Sequence, residues 1–226
     1  MRRAQSLWGS TVGKKITMAV SGTILILFVL FHMLGNLKVY QGPEAFNGYA
    51  EGLRTFGKPF FGESQVLWLL RIGLIVALIA HLAAAYLLTV RANRARKVGY
   101  RQWDGDLVFS YASRTMRWGG VIILLFVIYH LMHFTFGNAH PDFVHGDVYR
   151  NFVVGFQSVP VSVAYIAAMI PLGLHLYHGF WSMLQTLGAN NEKYNHLRRP
   201  IAAILALAIV LANISFPVAV LTGFVR

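Results

Sequence analysis

The chain of 226 residues contains no cysteine and only eight acidic residues. Without cysteine it can form no disulfide, hold no iron–sulfur cluster through its own thiolates and build no thiolate zinc site. Charged residues make up 12% of the sequence against 56% hydrophobic and 14% aromatic, which leaves too little polar surface to clothe a water-soluble globule. The composition is that of a membrane protein. Histidine, present nine times, is the soft metal ligand that remains in quantity.

The scarcity of acid against twenty lysines and arginines gives a formal charge of +12. These cations sit in short clusters beside apolar runs, the pattern of topology signals and of contacts to an acidic partner or anionic lipid, not of nucleic-acid binding. The first apolar run is too long for a signal-peptide core and no clear small-residue cleavage site follows it, so it reads as a membrane span.

Apolar patterning predicts an all-α integral membrane protein, a five-transmembrane-helix bundle forming a single membrane domain over 1–226. The helices are expected at about 16–37, 66–90, 117–138, 160–187 and 199–224, each able to cross roughly 30 Å of hydrocarbon at about 1.5 Å per residue. Arg2, Arg3, Lys14 and Lys15 flank the first span. The run Arg91 to Arg101, with Arg114 and Arg117, separates the second from the third, and Lys193, Arg198 and Arg199 separate the fourth from the fifth. The other two loops carry Glu44, Glu51, Glu63, Asp142 and Asp147. The positive-inside rule then places the N-terminus in the cytoplasm and the C-terminus outside. Pro171 is expected to bend the fourth span just before His175.

An internal repeat organises the histidines. When Ser21–Asn36 is set above Gly119–Phe134, Gly22 falls on Gly120, Phe28 on Phe126 and His32 on His130. A weaker match sets Ala77–Tyr86 on Pro171–Phe180 and brings His81 onto His175. Two HxxH pairs, His130/His133 and His175/His178, therefore each contain one repeat histidine and one extra. His32 and His130 lie near the outer ends of their spans; His81 and His175 lie deeper toward the cytoplasm. None of the five spans contains an Asp or Glu. A membrane histidine is costly and calls for a partner, and the absence of a carboxylate points to neutral imidazole bound to something the sequence does not encode. Two imidazoles from different helices at one depth, in an apolar bundle without thiolate, suit the axial positions of a flat b-type haem. His133 and His178 lie on nearly the same helix face as their neighbours and cannot supply the opposite bond to the same iron; each is expected to hydrogen-bond a propionate, a quinone oxygen or another helix. A zinc reading of HxxH lacks a third ligand.

The stretches FHMLGNLKVYQGPEAFN (31–47), RWGGVIILLFVIYH (117–130) and HLYHGFWSMLQTLG (175–188) resemble the cytochrome b558 subunit, the five-helix di-haem membrane anchor of succinate:quinone oxidoreductases and fumarate reductases. The resemblance implies two haems b, the distal one ligated at its iron by His32 and His130 and the proximal one by His81 and His175. It further implies a FAD-bearing flavoprotein subunit and an iron–sulfur subunit on the cytoplasmic side of a bacterial-type inner membrane. Electrons would pass from the iron–sulfur subunit through the proximal and then the distal haem to ubiquinone or menaquinone, or the reverse for fumarate reduction. By itself such a chain would not act on dicarboxylates. Candidate quinone or propionate contacts are Ser10, Lys14, Arg91, Arg117, His133, His178 and Trp181, with Ser6, Trp8, Arg114 and Gln185 nearby. Proton transfer through a buried carboxylate, attributed to some di-haem relatives, has no residue to use here; the outer-loop Glu44, Glu51 and Glu63 are either solvated loop charges or proton acceptors for an outward quinone site. Two other readings stay open, a di-haem cytochrome b of another quinone-linked enzyme such as a hydrogenase or formate dehydrogenase, and a haem-free transporter or channel.

Overall fold

The computed structural model describes residues 9–95, 107–189 and 191–226, and of residues 107–114 the backbone alone. Within them the chain is helical: α1 (Thr11–Asn36), α2 (Pro43–Thr55), α3 (Gln65–Ala95), α4 (Leu107–Phe134), α5 (Val148–Gln157), α6 (Val159–Thr186) and α7 (Arg198–Leu221). Among the described residues α1, α3, α4, α6 and α7 are long and apolar enough to cross a membrane. They run alternately up and down, which gathers the loops at two ends.

Lipid offers tails as apolar as any leucine, so spanning helices associate through close packing at small residues and not through hydrophobic burial. The buried positions follow that rule. Gly13, Ala19, Ser21 and Gly35 are buried on α1, Ala77 and Ala84 on α3, and Ala202, Ala206 and Ala219 on α7. Large side chains such as Trp68, Leu69 and Leu125 are exposed on the outside. A Cβ on Gly173 of α6 would stand 2.8 Å from Val210 of α7, so that glycine sets how closely the two helices approach. α6 runs unbroken through Pro171.

The packing has a gap. α1 packs on α3 and α6, and α4 packs on α6, while α7 lies against α6 and α1. Among the described residues α3 and α4 are not closely packed, nor are the diagonal pairs α1/α4 and α3/α6. The four helices thus form a ring whose open side lies between α3 and α4.

One end of the bundle is capped by α2, α5 and the 138–147 loop. Asp147 starts α5 by accepting from the Arg150 N–H at 3.0 Å, and Asn47 of α2 donates to Asp147 at 3.1 Å while accepting from the Tyr149 N–H at 2.9 Å. Asn151 holds the loop by bonds to both the N–H and the C=O of Val144, at 2.8 and 2.7 Å, and His140 Nε2 donates to the Asn151 carbonyl at 2.8 Å. Phe152 and Phe156 press α5 onto Phe134 and Tyr165. At the opposite, basic end, Arg91 of α3 reaches Thr11 and the Gly9 carbonyl (3.2 and 2.7 Å) and Arg117 of α4 reaches Asn93 at 3.3 Å.

Candidate functional site: two facing histidine pairs

Each repeat histidine meets another across a diagonal of the bundle. His32 of α1 and His130 of α4 have ring centres 5.9 Å apart with planes at 88°. His81 of α3 and His175 of α6 have ring centres 6.2 Å apart with planes at 58°. Two imidazoles bonded through nitrogen to one metal ion put their ring centres about 6 Å apart, given metal–nitrogen bonds of about 2 Å. Both pairs match that spacing.

The depths follow from the glycines of the repeat. A Cβ on Gly22 of α1 would lie 3.5 Å from His81 Cε1, and one on Gly120 of α4 would lie 3.9 Å from His175 Cε1. Gly22 stands ten residues before His32 and Gly120 ten before His130, so the two pairs sit about 15 Å apart along the bundle. The His32/His130 pair lies toward the capped end and His81/His175 toward the basic end. Phe28 stacks on His32 at 5.3 Å and Phe126 lies against His130 at 6.0 Å. The repeat in the sequence is therefore a repeat in space, each half supplying one histidine to each pair.

Accessibility separates these histidines from a packed one. His32 is exposed and His81, His130 and His175 are half-buried, although each faces its partner inside the bundle. His133 is wholly buried at 0%, between Tyr129, Phe134 and His140. Its Nδ1 lies 3.0 Å from the Tyr165 hydroxyl, which in turn lies 3.3 Å from His130 Nδ1. His81 Nδ1 lies 3.3 Å from the Ser21 hydroxyl, which donates to the Thr17 carbonyl at 2.7 Å. His175 Nδ1 is buried with no partner. In both pairs one imidazole is thus held through Nδ1, which leaves its Nε2 for a further bond. This donor set, two facing imidazoles per level with no thiolate and no carboxylate in the spans, fits a b-type haem.

The remaining candidates divide. Ser10 is the N-cap of α1, accepting from the Gly13 N–H at 2.9 Å. Lys14 is buried in the next turn. Arg91 and Arg117 tie helices together, as described. His178 packs edge-on to Trp181 at 5.9 Å, and Arg199 lies over the Trp181 ring at 5.8 Å. Trp181, Gln185, Asn195, His196, Arg198 and Arg199 line a recess of about 450 Å³ at the basic end. At the capped end Glu51 pairs with Arg54 and Glu63 with Lys58, exposed pairs of little energetic weight. Ser6 and Trp8 lie outside the described residues, as does the side chain of Arg114.

Sequence reasoning missed Tyr165, Ser21, Asn47 and Asn151. Ser21 was within reach, since it aligns with Gly119 in the repeat and is the polar member of that pair. Tyr165 carries no such mark.

Residues 100–214, just over half of the chain, match the family model described as "Succinate dehydrogenase/Fumarate reductase transmembrane subunit". The match runs from ahead of α4 into α7 and contains His130, His133, His175 and His178. It leaves His32 and His81 outside. No curated protein and no solved structure matches the chain.

Proposed function

The chain belongs to the succinate dehydrogenase/fumarate reductase transmembrane-subunit family, a family of membrane anchors that in general bind haem b and quinone, and from that premise we propose that it is a di-haem member. The two imidazole pairs at two depths carry the reading. His32 and His130 would hold the distal haem; His81 and His175 would hold the proximal one. When bound, the haems supply one-electron centres through which electrons pass between an iron–sulfur partner and membrane quinone, proximal before distal for succinate oxidation and in reverse for fumarate reduction.

The protein's own residues define the conditions. Imidazole ligates metal in its neutral form, and none of the five spans carries an Asp or Glu to pair with a charged ring. Ser21 and Tyr165 select the tautomer by engaging Nδ1. The cap closes over the neighbours of His130, Phe156 of α5 packing on the Phe134 and Tyr165 rings that lie against it. The basic end, with Lys14, Arg91, Arg117, Arg198 and Arg199, would face the cytoplasm of a bacterial-type inner membrane and dock the iron–sulfur and flavoprotein subunits. Lys14, Arg91, Arg117, His178 and Trp181 are the residues we assign to propionates or a quinone there. Ser10 is used as a helix cap and His133 has no accessible surface to offer.

The test is to purify the chain with its native partners and add succinate. The reading requires reduction of a b-type absorbance by succinate and its reoxidation by ubiquinone or menaquinone; an assembled complex whose visible spectrum does not respond would contradict it.

A further inference from the structure

The two halves of the repeat hold their histidines unequally. His130 is backed by Tyr165 and, behind it, His133. The residue of the first half that corresponds to Tyr165, counting back from His81 as Tyr165 stands back from His175, is Arg71, which stacks on Trp68 and makes no hydrogen bond to His32. His81 is backed by Ser21, whereas the corresponding Gly119 leaves His175 Nδ1 with nothing. Each pair therefore has one held and one unheld imidazole, and the two holders differ in chemistry.

The Ser21 hydroxyl is committed to its own helix through the Thr17 carbonyl, so it accepts from His81 and the chain of bonds ends there. Tyr165 is 7% exposed and sits between two imidazoles. With His130 Nδ1–H donating to the phenol oxygen, the phenol O–H is free to donate to His133 Nδ1. His133 is locked in place to receive it: it stacks on His140 at 5.0 Å and on Tyr129 at 5.6 Å. His140 is itself fixed through both ring nitrogens, by the Asn151 carbonyl and the Asp142 N–H. Gly155 allows α5 to close over the group, since a Cβ there would stand 2.9 Å from His133 Cε1. A donor that is itself donating is the better acceptor, and a hydrogen bond to the far nitrogen of a metal-bound imidazole makes that ligand more basic.

We propose that Tyr165, with His133 as its acceptor, is a positioning residue for His130: it fixes the ring and tautomer of that ligand and strengthens it, and so lowers the potential of the haem held by His32 and His130 alone. This rests on the di-haem reading, and the test keeps the two apart.

The experiment is a spectroscopic redox titration of the assembled complex in its wild-type form and with Tyr165→Phe, His133→Leu, His133→Asn and Ser21→Ala. Tyr165→Phe should retain two haems and raise one midpoint while leaving the other in place. His133→Leu should raise the same midpoint by less. His133→Asn, whose amide oxygen can stand where Nδ1 stood, should return it toward the wild-type value. Ser21→Ala should leave that midpoint alone and move the other. Two haems with midpoints unmoved by Tyr165→Phe overturn the inference and leave the di-haem reading intact. If Tyr165→Phe does not assemble, an unmoved midpoint in His133→Leu overturns it instead. Absence of haem from the wild-type complex defeats the reading beneath both.

Discussion

His130 and His32 face each other with their ring planes at 88°, whereas His175 and His81 face each other at 58°. The difference has a local cause. His130 is turned by Tyr165 on α6 and Phe126 on its own helix, and His32 is stacked on Phe28. Were these two imidazoles to hold one ferric haem iron, ring planes near a right angle would leave its two π-type d orbitals close in energy. The oxidised complex is accordingly expected to show two low-spin electron paramagnetic resonance signals, the more anisotropic one lost with His32→Ala or His130→Ala. Loss of that signal with His81→Ala would reverse the assignment of planes to pairs.

His133 and His130 sit three residues apart and do different work. Replacing His133 by alanine should leave two haems in place yet destabilise the protein by about 1–3 kcal/mol, because it empties a packed site and strands the Tyr165 hydroxyl. Thermal loss of the haem absorbance measures this. Loss of one haem at low temperature would mean that His133 is a ligand.

Gly119 occupies the position of Ser21 in the second half. A Cβ there meets Pro171 at an ordinary 3.8 Å, so Gly119→Ser fits the space. It should stabilise α4 by about 0.5 kcal/mol through helix propensity and give His175 Nδ1 the partner it lacks. The midpoint of the haem we assign to His81 and His175 is then expected to fall, with the other unchanged. A redox titration decides it.

The cap depends on Asp147. The Arg150 N–H, the Asn47 amide and the Arg150 charge together hold its carboxyl below the ordinary carboxylate range, against a smaller opposing effect of burial. A depressed folded value means that the charged form contributes stability above the unfolded value of about 3.9, and that this contribution is lost as the pH falls through the folded value beneath it. Limited proteolysis in the 138–147 loop should therefore rise on acidification below about pH 4, and the rise should flatten with Asp147→Asn. Asn47→Ala should open the cap even at neutral pH, at a cost of about 1 kcal/mol per lost bond.

The juxtaposition of the four histidines was legible because it is written twice: once as a repeat along the chain and once as position within each span. The spanning helices were legible from their apolar length. Their ends were less so, since α4 begins at Leu107 and carries Arg114 and Arg117 beyond the apolar stretch, where charge ends a membrane span without ending a helix. α2 and α5 are short and half polar, and α5 holds its place by burying Phe152, Val153 and Phe156, contacts that exist only after α4 and α6 have come together. Tyr165 and His130 are 35 residues apart; no local pattern links them, and among so many aromatic residues one phenol does not stand out.

The most direct measurement is the haem content of the purified complex, read as pyridine haemochrome per chain. Four histidines arranged as two facing pairs predict two haems b per chain, falling to one with His32→Ala, His81→Ala, His130→Ala or His175→Ala and staying at two with His178→Ala. A wild-type content of one or none, or loss of a haem with His178→Ala, would contradict the assignment of the pairs.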